Sequence, residues 1–245
     1  MNILVCLSAV PDTTTKISFV DNDSKFNTAG VQFIINPYDE LALTKALELT
    51  EANGGEVTII TVGDASVEPV MRKGLAIGAH KAIRVNTEAL DGMHVAKCIT
   101  SAIEGESFDM ILTGRESIDY NGGQVAGILS EMLNMGLVNV VTSLTVEGNT
   151  ITAVRDIDGG RETVSANMPC VISAQKELCE PRIPNMRGIM QARTKPLTVV
   201  EYSDSYAETK YTGYELPPAK QGVKLIDAEN AGELIDLLRT EKKIL

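Results

Sequence analysis

Chemistry in this chain would have to come from one glycine-bearing loop and two shorter stretches beside it. The loop runs Gly114-Arg-Glu-Ser-Ile-Asp119-Tyr-Asn121-Gly122-Gly123-Gln124-Val125, between the apolar run Met110 to Leu112 and a helical pattern resuming at Ile128, Leu129, Met132 and Leu133. Gly114, Gly122 and Gly123 permit a sharp turn and close approach of a ligand. A helix starting near Gly123 or Gln124 would aim free N–H groups and the positive end of its dipole into the loop, which suits an anion such as a nucleotide phosphate without a basic cluster. Asp119, Asn121 and Gln124 add short polar groups for hydroxyls, amides or phosphate. The loop matches neither GxGxxG nor GxxxxGK[ST], so an ordinary strand-to-helix turn stays open at this point. The second stretch is Asn36-Pro-Tyr-Asp39-Glu40, whose asparagine, proline and two acids read as a helix start; Asn36 serves either as a cap or as a ligand contact. The third is the pair of loops Cys6 to Ala9 and Val62-Gly63, each leaving an apolar strand. Nothing offers a nucleophile with a base or a pair of catalytic carboxylates.

The elements that must position these stretches follow from hydrophobic patterning. Ile3 to Leu7 is an apolar run of the kind found in a central parallel strand buried on both faces. Lys16 to Phe33 reads as an irregular hairpin. A helix follows from Asn36 to the Asn53-Gly-Gly55 stop, with Leu41, Leu43, Ala46, Leu47 and Leu49 on its apolar side. Then come a strand at Val57 to Val62, a helix over Val67 to Ile77, a strand at Ile83 to Val85, a helix over Met93 to Ile103 and the strand at Met110. This alternation over the first 135 residues predicts a doubly wound, mostly parallel α/β sheet with ligands at the carboxyl ends of its strands. Period-two segments at Leu144 to Val146, Ile151 to Ile157, Glu162 to Ser165 and Pro169 to Ala174 add an antiparallel meander. Glu180 to Pro196 mixes prolines and basic groups with exposed-looking Met186, Ile189 and Met190, the pattern of a contact site or of a helix packing its own methionines into the core. After Val200 a tyrosine-rich, polar stretch reads as an extended arm, ending in an amphipathic helix over Ala228 to Leu238. Residues 1–200 therefore form one nucleotide-binding type of domain, and 201–245 an appended arm and helix.

The chain has 245 residues, 44% of them hydrophobic, which supports a full core, and a net charge of −11 that excludes nonspecific binding to nucleic acid or anionic membrane. No apolar run approaches the length of a spanning helix, and Met1 to Leu7 is too short and lacks the basic flank of a signal peptide, so membrane insertion is not expected and the expected compartment is the cytoplasm. Cys6, Cys98, Cys170 and Cys179 are scattered without a CxxC pair, and His80 and His94 have no second ligand in sequence; free thiols and no metal are expected.

With these pieces placed, the chain resembles the beta subunit of electron transfer flavoproteins. Ala153-Val-Arg155, Asp158-Gly-Gly160, Glu162, Val164 and Pro169-Cys-Val-Ile-Ser173 fit that family's signature. The opening strand, Asn36-Pro-Tyr-Asp-Glu40, Gly74-Leu-Ala-Ile-Gly-Ala79, the Gly114 to Gln124 loop and Glu180-Pro-Arg182 match in order, so the likeness spans about residues 1 to 200. It implies an adenine-nucleotide-binding fold of the HUP or Rossmann-like kind and one half of a heterodimer with an alpha subunit. Such a heterodimer takes electrons from flavin dehydrogenases of the acyl-CoA dehydrogenase type, in fatty acid oxidation, and passes them to a quinone reductase or other acceptor. FAD lies mainly on the alpha subunit, and AMP is held structurally by the beta subunit. By matching motif the nucleotide residues are Cys6, Asn36, Asp39, Val62 and Gly114 to Val125. Arg182 to Met190 falls on the partner-recognition loop, with Met186 where a leucine commonly stands. Electron-bifurcating members place a second FAD where others hold AMP, typically with Gly-Asp-Thr-Ala-Gln-Val. Here Tyr120-Asn-Gly-Gly-Gln-Val125 keeps Gln124 and Val125 without the Asp-Thr pair, nor is it the Cys-Asn-Gln-Thr form usual with AMP. AMP is the expected occupant and FAD the alternative. A nucleotide-sensing regulatory module is opposed by the long segment after Glu180, and an ATP pyrophosphatase by the absence of a Ser-Gly-Gly loop at Ser8-Ala-Val-Pro11.

Overall fold

The computed structural model describes residues 1–220 and 222–245. Strand β1 (Asn2–Cys6) is followed by an excursion carrying β2 (Ala9–Pro11), the β3–β4 hairpin (Phe19–Val20 and Lys25–Phe26) and β5 (Phe33–Ile35), then by helix α1 (Pro37–Asn53). Next come β6 (Glu56–Val62), α2 (Glu68–Ile77), β7 (Lys81–Asn86), α3 (Gly92–Ala102), β8 (Met110–Gly114) and α4 (Val125–Met132). The alternation expected over the first 135 residues is therefore present, each helix starting within two residues of its expected place. The meander is β9 (Gly136–Glu147), β10 (Thr150–Ile157) and β11 (Gly160–Asn167), returning through β12 (Cys170–Ala174). Beyond it lie α5 (Met186–Ala192), β13 (Leu197–Glu201) and α6 (Ala231–Leu237).

Nine of these strands form one sheet in the order β11-β10-β9-β12-β8-β1-β6-β7-β13. The contacts from β9 to β13 across the middle are parallel, and β9–β10 and β10–β11 are antiparallel. The architecture is thus α/β with a mostly parallel sheet and antiparallel additions, as the patterning predicted. The strand β13 is new. It pairs in parallel with β7 along the sheet edge, where the sequence reading had placed only the approach to an arm.

The pleat divides the core into two layers. Ile3, Val5, Val57 and Ile59 pack with Leu43, Leu47, Met71 and Leu75 of α1 and α2 on one face. Leu4, Ile60, Ile83 and Ile111 pack with Ala96, Ile99, Ala126 and Leu129 of α3 and α4 on the other. A strand covered on both faces must be apolar throughout, which is why β1 and β8 read as unbroken runs. The chain goes outward from β1 to β6 and β7, then crosses back to β8 on the other side of β1. Strand order reverses between β1 and β8, and at such a point the loops leaving adjacent strands diverge and open a crevice at the carboxyl ends.

Candidate functional site

That crevice is closed at its floor by one carboxylate. Asp39, in the first turn of α1 and only 3% exposed, accepts the Ser8 N–H at Oδ2 (2.6 Å). Its Oδ1 accepts the Gly114 N–H (2.9 Å) and Asn36 Nδ2 (3.0 Å). One side chain thereby ties the loop after β1 to the end of β8. Asn36 Nδ2 also donates to the Glu116 carbonyl (2.8 Å). The geometry explains Gly114: a Cβ there would collide with the Asp39 carboxylate and come within 2.7 Å of the Tyr38 Cβ.

The expectation that Asn36 caps α1 needs correction. Its backbone carbonyl accepts the Asp39 and Glu40 N–H groups (2.8 and 3.1 Å), but the side chain makes no cap bond. It is drawn sideways by Asp39 and Glu116, because both are within reach of the amide and a buried N–H must find an acceptor.

Three donors favour an ionised Asp39, yet burial outweighs them and pushes its carboxyl up to about 7. Cys6, at the end of β1 beside it, is buried, and burial followed by the Asp39 charge drives its thiol far upward, so Cys6 is a neutral packing group here. Among the described residues, two buried side-chain atoms have no partner, Asn36 Oδ1 and Thr61 Oγ1. Thr61 stands next to Val62 at the carboxyl end of β6, so both orphans belong to the crevice side of the sheet. A buried polar atom left unpaired costs about 1–3 kcal/mol, and a polar ligand's groups or water would relieve it.

The loop above the floor is internally braced. Ser117 N–H donates to the Gly122 carbonyl (3.0 Å), the Ser117 hydroxyl binds Asp119, and Asp119 also accepts the Tyr120 N–H (3.1 Å). Asn121 takes φ 55°, a left-handed conformation asparagine tolerates. Asp119, Asn121, Gly123 and Gln124 are exposed, Gly122 and Val125 half-buried. Helix α4 starts at Val125 with no side-chain cap from Gln124, leaving its first backbone N–H groups for another acceptor. The nearby guanidinium of Arg115 is taken up by Glu116 (2.9 Å) and the Tyr38 ring (5.6 Å to its centre). The polarity is therefore divided, with an acidic, hydrogen-bonded floor at Asp39 and an anion-favouring helix start at Gln124 and Val125. A groove of about 660 Å³ lined by Ile103, Phe108, Met132, Leu133 and Tyr202 shares no residue with this crevice.

Sequence reading missed the aromatic cover. Tyr120 meets Tyr211 edge to face (6.5 Å between ring centres), Tyr211 stacks on Tyr214 (5.7 Å), and Tyr214 stacks on Phe19 (5.1 Å). The tyrosine-rich composition of the arm was the available signal, but nothing in the sequence says what those rings touch.

The segment expected to recognise a partner is split by role. Met186, Ile189 and Met190 are exposed, Met186 most of all at 74%. Arg182 is engaged on α1, donating from both terminal nitrogens to Glu51 (2.6 Å each). Helix α5 is seated on α2: Gly188 lies so close to the Ala76 carbonyl that a Cβ would overlap it. Arg72 donates to the Ala192 and Lys195 carbonyls (2.8 and 2.9 Å), and Lys195 Nζ donates to the Leu75 and Ala79 carbonyls (2.9 and 2.6 Å).

The family model described as "Electron transfer flavoprotein domain" matches residues 23–205. The chain is 37% identical to electron transfer flavoprotein subunit beta of Bacillus subtilis (strain 168), covering 100% of both chains. It is 35% identical to the protein of the same name from Syntrophomonas wolfei, over 93% of this chain and 90% of that one. With the Bradyrhizobium diazoefficiens subunit beta it shares 31% identity over 100% of each.

Proposed function

The chain belongs to the electron transfer flavoprotein family as a beta subunit, and from that premise we propose that it holds AMP in the β1–β8 crevice of a heterodimer with an alpha subunit. That heterodimer accepts electrons from flavin dehydrogenases of the acyl-CoA dehydrogenase type and delivers them to a quinone reductase or another acceptor. FAD, bound mainly on the alpha subunit, supplies the redox chemistry. The residues of this chain bind, orient and dock.

The observation that carries the nucleotide assignment is the divided crevice. Asp39 and Asn36 at the floor offer an acceptor and an unpaired oxygen to ribose hydroxyls or the adenine amine. Gly122, Gly123, Gln124 and Val125 offer backbone N–H groups to a phosphate at the uncapped start of α4. Cys6 and Val62 supply apolar walls at the ends of β1 and β6, and Asp119 and Asn121 shape the loop. Residues Met186, Ile189 and Met190 form the dehydrogenase-facing tip, with Arg182 fixing its base. Residues 201–245 reach the alpha subunit, a role supported by Val223, Leu225, Ile244 and Leu245, each at least 70% exposed. A nucleotide-sensing module would have no use for such a tip and arm.

The deciding measurement is the nucleotide content of the heterodimer after denaturation. One FAD and one AMP per heterodimer is the expected result. Two FADs and no AMP would put a flavin in the Gly114 to Val125 loop and make electron bifurcation the function. Asn36→Ala combined with Gln124→Ala should lower AMP occupancy severalfold; unchanged occupancy would remove the crevice from the binding role.

A further inference from the structure

The arm does not simply leave the domain after β13. Asp204 meets His94 Nε2 through its carbonyl (2.9 Å), and the Tyr206 ring lies under Lys97 (5.4 Å), so residues 202–206 run across α3. Thr209 then donates from its N–H (2.8 Å) and its hydroxyl (3.3 Å) to Asp91, the residue that caps α3. Asp91 lies on the carboxyl side of β7, and its neighbour Gly92 packs against Gln124 at the start of α4, 3.4 Å from where a Cβ would be. Five residues later Tyr214 donates its N–H to the Asp23 carbonyl (2.8 Å) and stacks on Phe19, both in the excursion that leaves β1. Between these two moorings Tyr211 contacts Tyr120 of the loop after β8. Residues 209–214 thus touch the connections leaving β1, β7 and β8, and those leaving β1 and β8 are the two that flank the crevice. The Tyr120 phenol is pushed upward by burial and then by the charges of Asp119, Tyr211, Asp91 and Asp39.

We propose that residues Thr209 to Tyr214 are a strap across the mouth of the crevice, through which the ligand enters and leaves only when the Tyr120–Tyr211–Tyr214–Phe19 stack opens. The inference rests on the nucleotide reading of the crevice and adds to it a retaining element drawn from the arm. The strap is held by ring contacts of half-exposed tyrosines and by hydrogen bonds to Asp91 and Asp23, with none of its residues in the core clusters. It can therefore lift without opening the sheet.

The test uses the full chain co-purified with its alpha partner, loaded with tritiated AMP and chased with excess unlabelled AMP. Tyr211→Ala with Tyr214→Ala should release AMP at least about tenfold faster than wild type and take it up faster too, whereas Tyr211→Phe should keep the wild-type rate. Release from the double variant at the wild-type rate overturns the strap. Should the double variant not assemble, Tyr211→Ala alone decides by the same criterion. Failure of the wild type to take up AMP overturns the nucleotide reading. In that case hydrogen exchange decides the cover independently: faster exchange at residues 114–124 in Tyr211→Ala sustains it, and unchanged exchange overturns it.

Discussion

Asp39 is a carboxyl group whose free energy depends on whether the crevice is wet. Buried with three N–H donors and no cation, it titrates near 7 rather than near 3.8. A folded-state value above the unfolded one means the folded chain binds the proton more tightly. The stabilising contribution is then complete below about pH 4 and lost as pH rises through 7. The nucleotide-free chain should therefore become less stable between pH 4.5 and 8, by about 3 kcal/mol from this group, and Asp39→Asn should flatten that slope in denaturant titrations. A slope unchanged by Asp39→Asn would show the titration belongs elsewhere. Gly114→Ala tests the clamp sterically. Its Cβ has no room beside Asp39 and Tyr38, so AMP occupancy should fall and stability drop by roughly 1–3 kcal/mol. These residues were legible by position, since a glycine ending one strand and an acid opening a helix are visible in sequence. Their bond was not, because it joins positions 75 apart and exists only once β1 and β8 are neighbours. For the same reason the bond from the Asn36 side chain to Glu116, 80 positions away, was not legible beside its local reading as a cap.

Elements were legible in proportion to their burial. Strands β1, β6 and β8, sealed on both faces, announce themselves as apolar runs. Strand β13 does not: it lies at the sheet edge, none of its residues is buried, and it is held by the Pro196 carbonyl accepting from Ala82 (3.0 Å) and by Asn86 donating to Glu201 (2.8 and 3.0 Å). Helix α5 was likewise ambiguous, since two methionines at helical spacing serve a core as well as a surface. The structure settles that point, with Ala192 buried and Met186 and Met190 turned out. Met186→Ala should slow electron uptake from the dehydrogenase severalfold, measured by stopped-flow absorbance, with nucleotide content unchanged; an unaltered rate would remove Met186 from the docking role. Lys195→Met should cost about 1–3 kcal/mol, read from thermal or denaturant unfolding, because the Leu75 and Ala79 carbonyls at the end of α2 lose their donor.

At the scale of the whole molecule the chain divides into a body that buries its own core and a tail that does not. Among the described residues no helix is long and apolar enough to cross a membrane. Yet α6 presents Leu234 and Ile235 half exposed, and beyond it Ile244 and Leu245 are 70% exposed. An isolated amphipathic helix so short is unstable in water without a surface to cover it. Removing residues 215–245 should leave the body folded, with a melting temperature within a few degrees of the full chain, while abolishing co-elution with the alpha subunit in size-exclusion chromatography. Persistent co-elution would mean that the body alone makes the interface. The tail's helix was legible from its pattern, but its partner was not, because composition gives an apolar stripe without naming what it faces.

Helix α5 is seated on α2 through main-chain carbonyls. Gly188 rests on a main-chain carbonyl, and Arg72 and Lys195 reach main-chain carbonyls, so the mounting is blind to the side chains at positions 186, 189 and 190. Those positions are free to drift without unsettling the scaffold. On the docking role proposed for this tip, a lineage could retune its redox donor by exchanging a few outward atoms, much as a tool changes bits in one chuck.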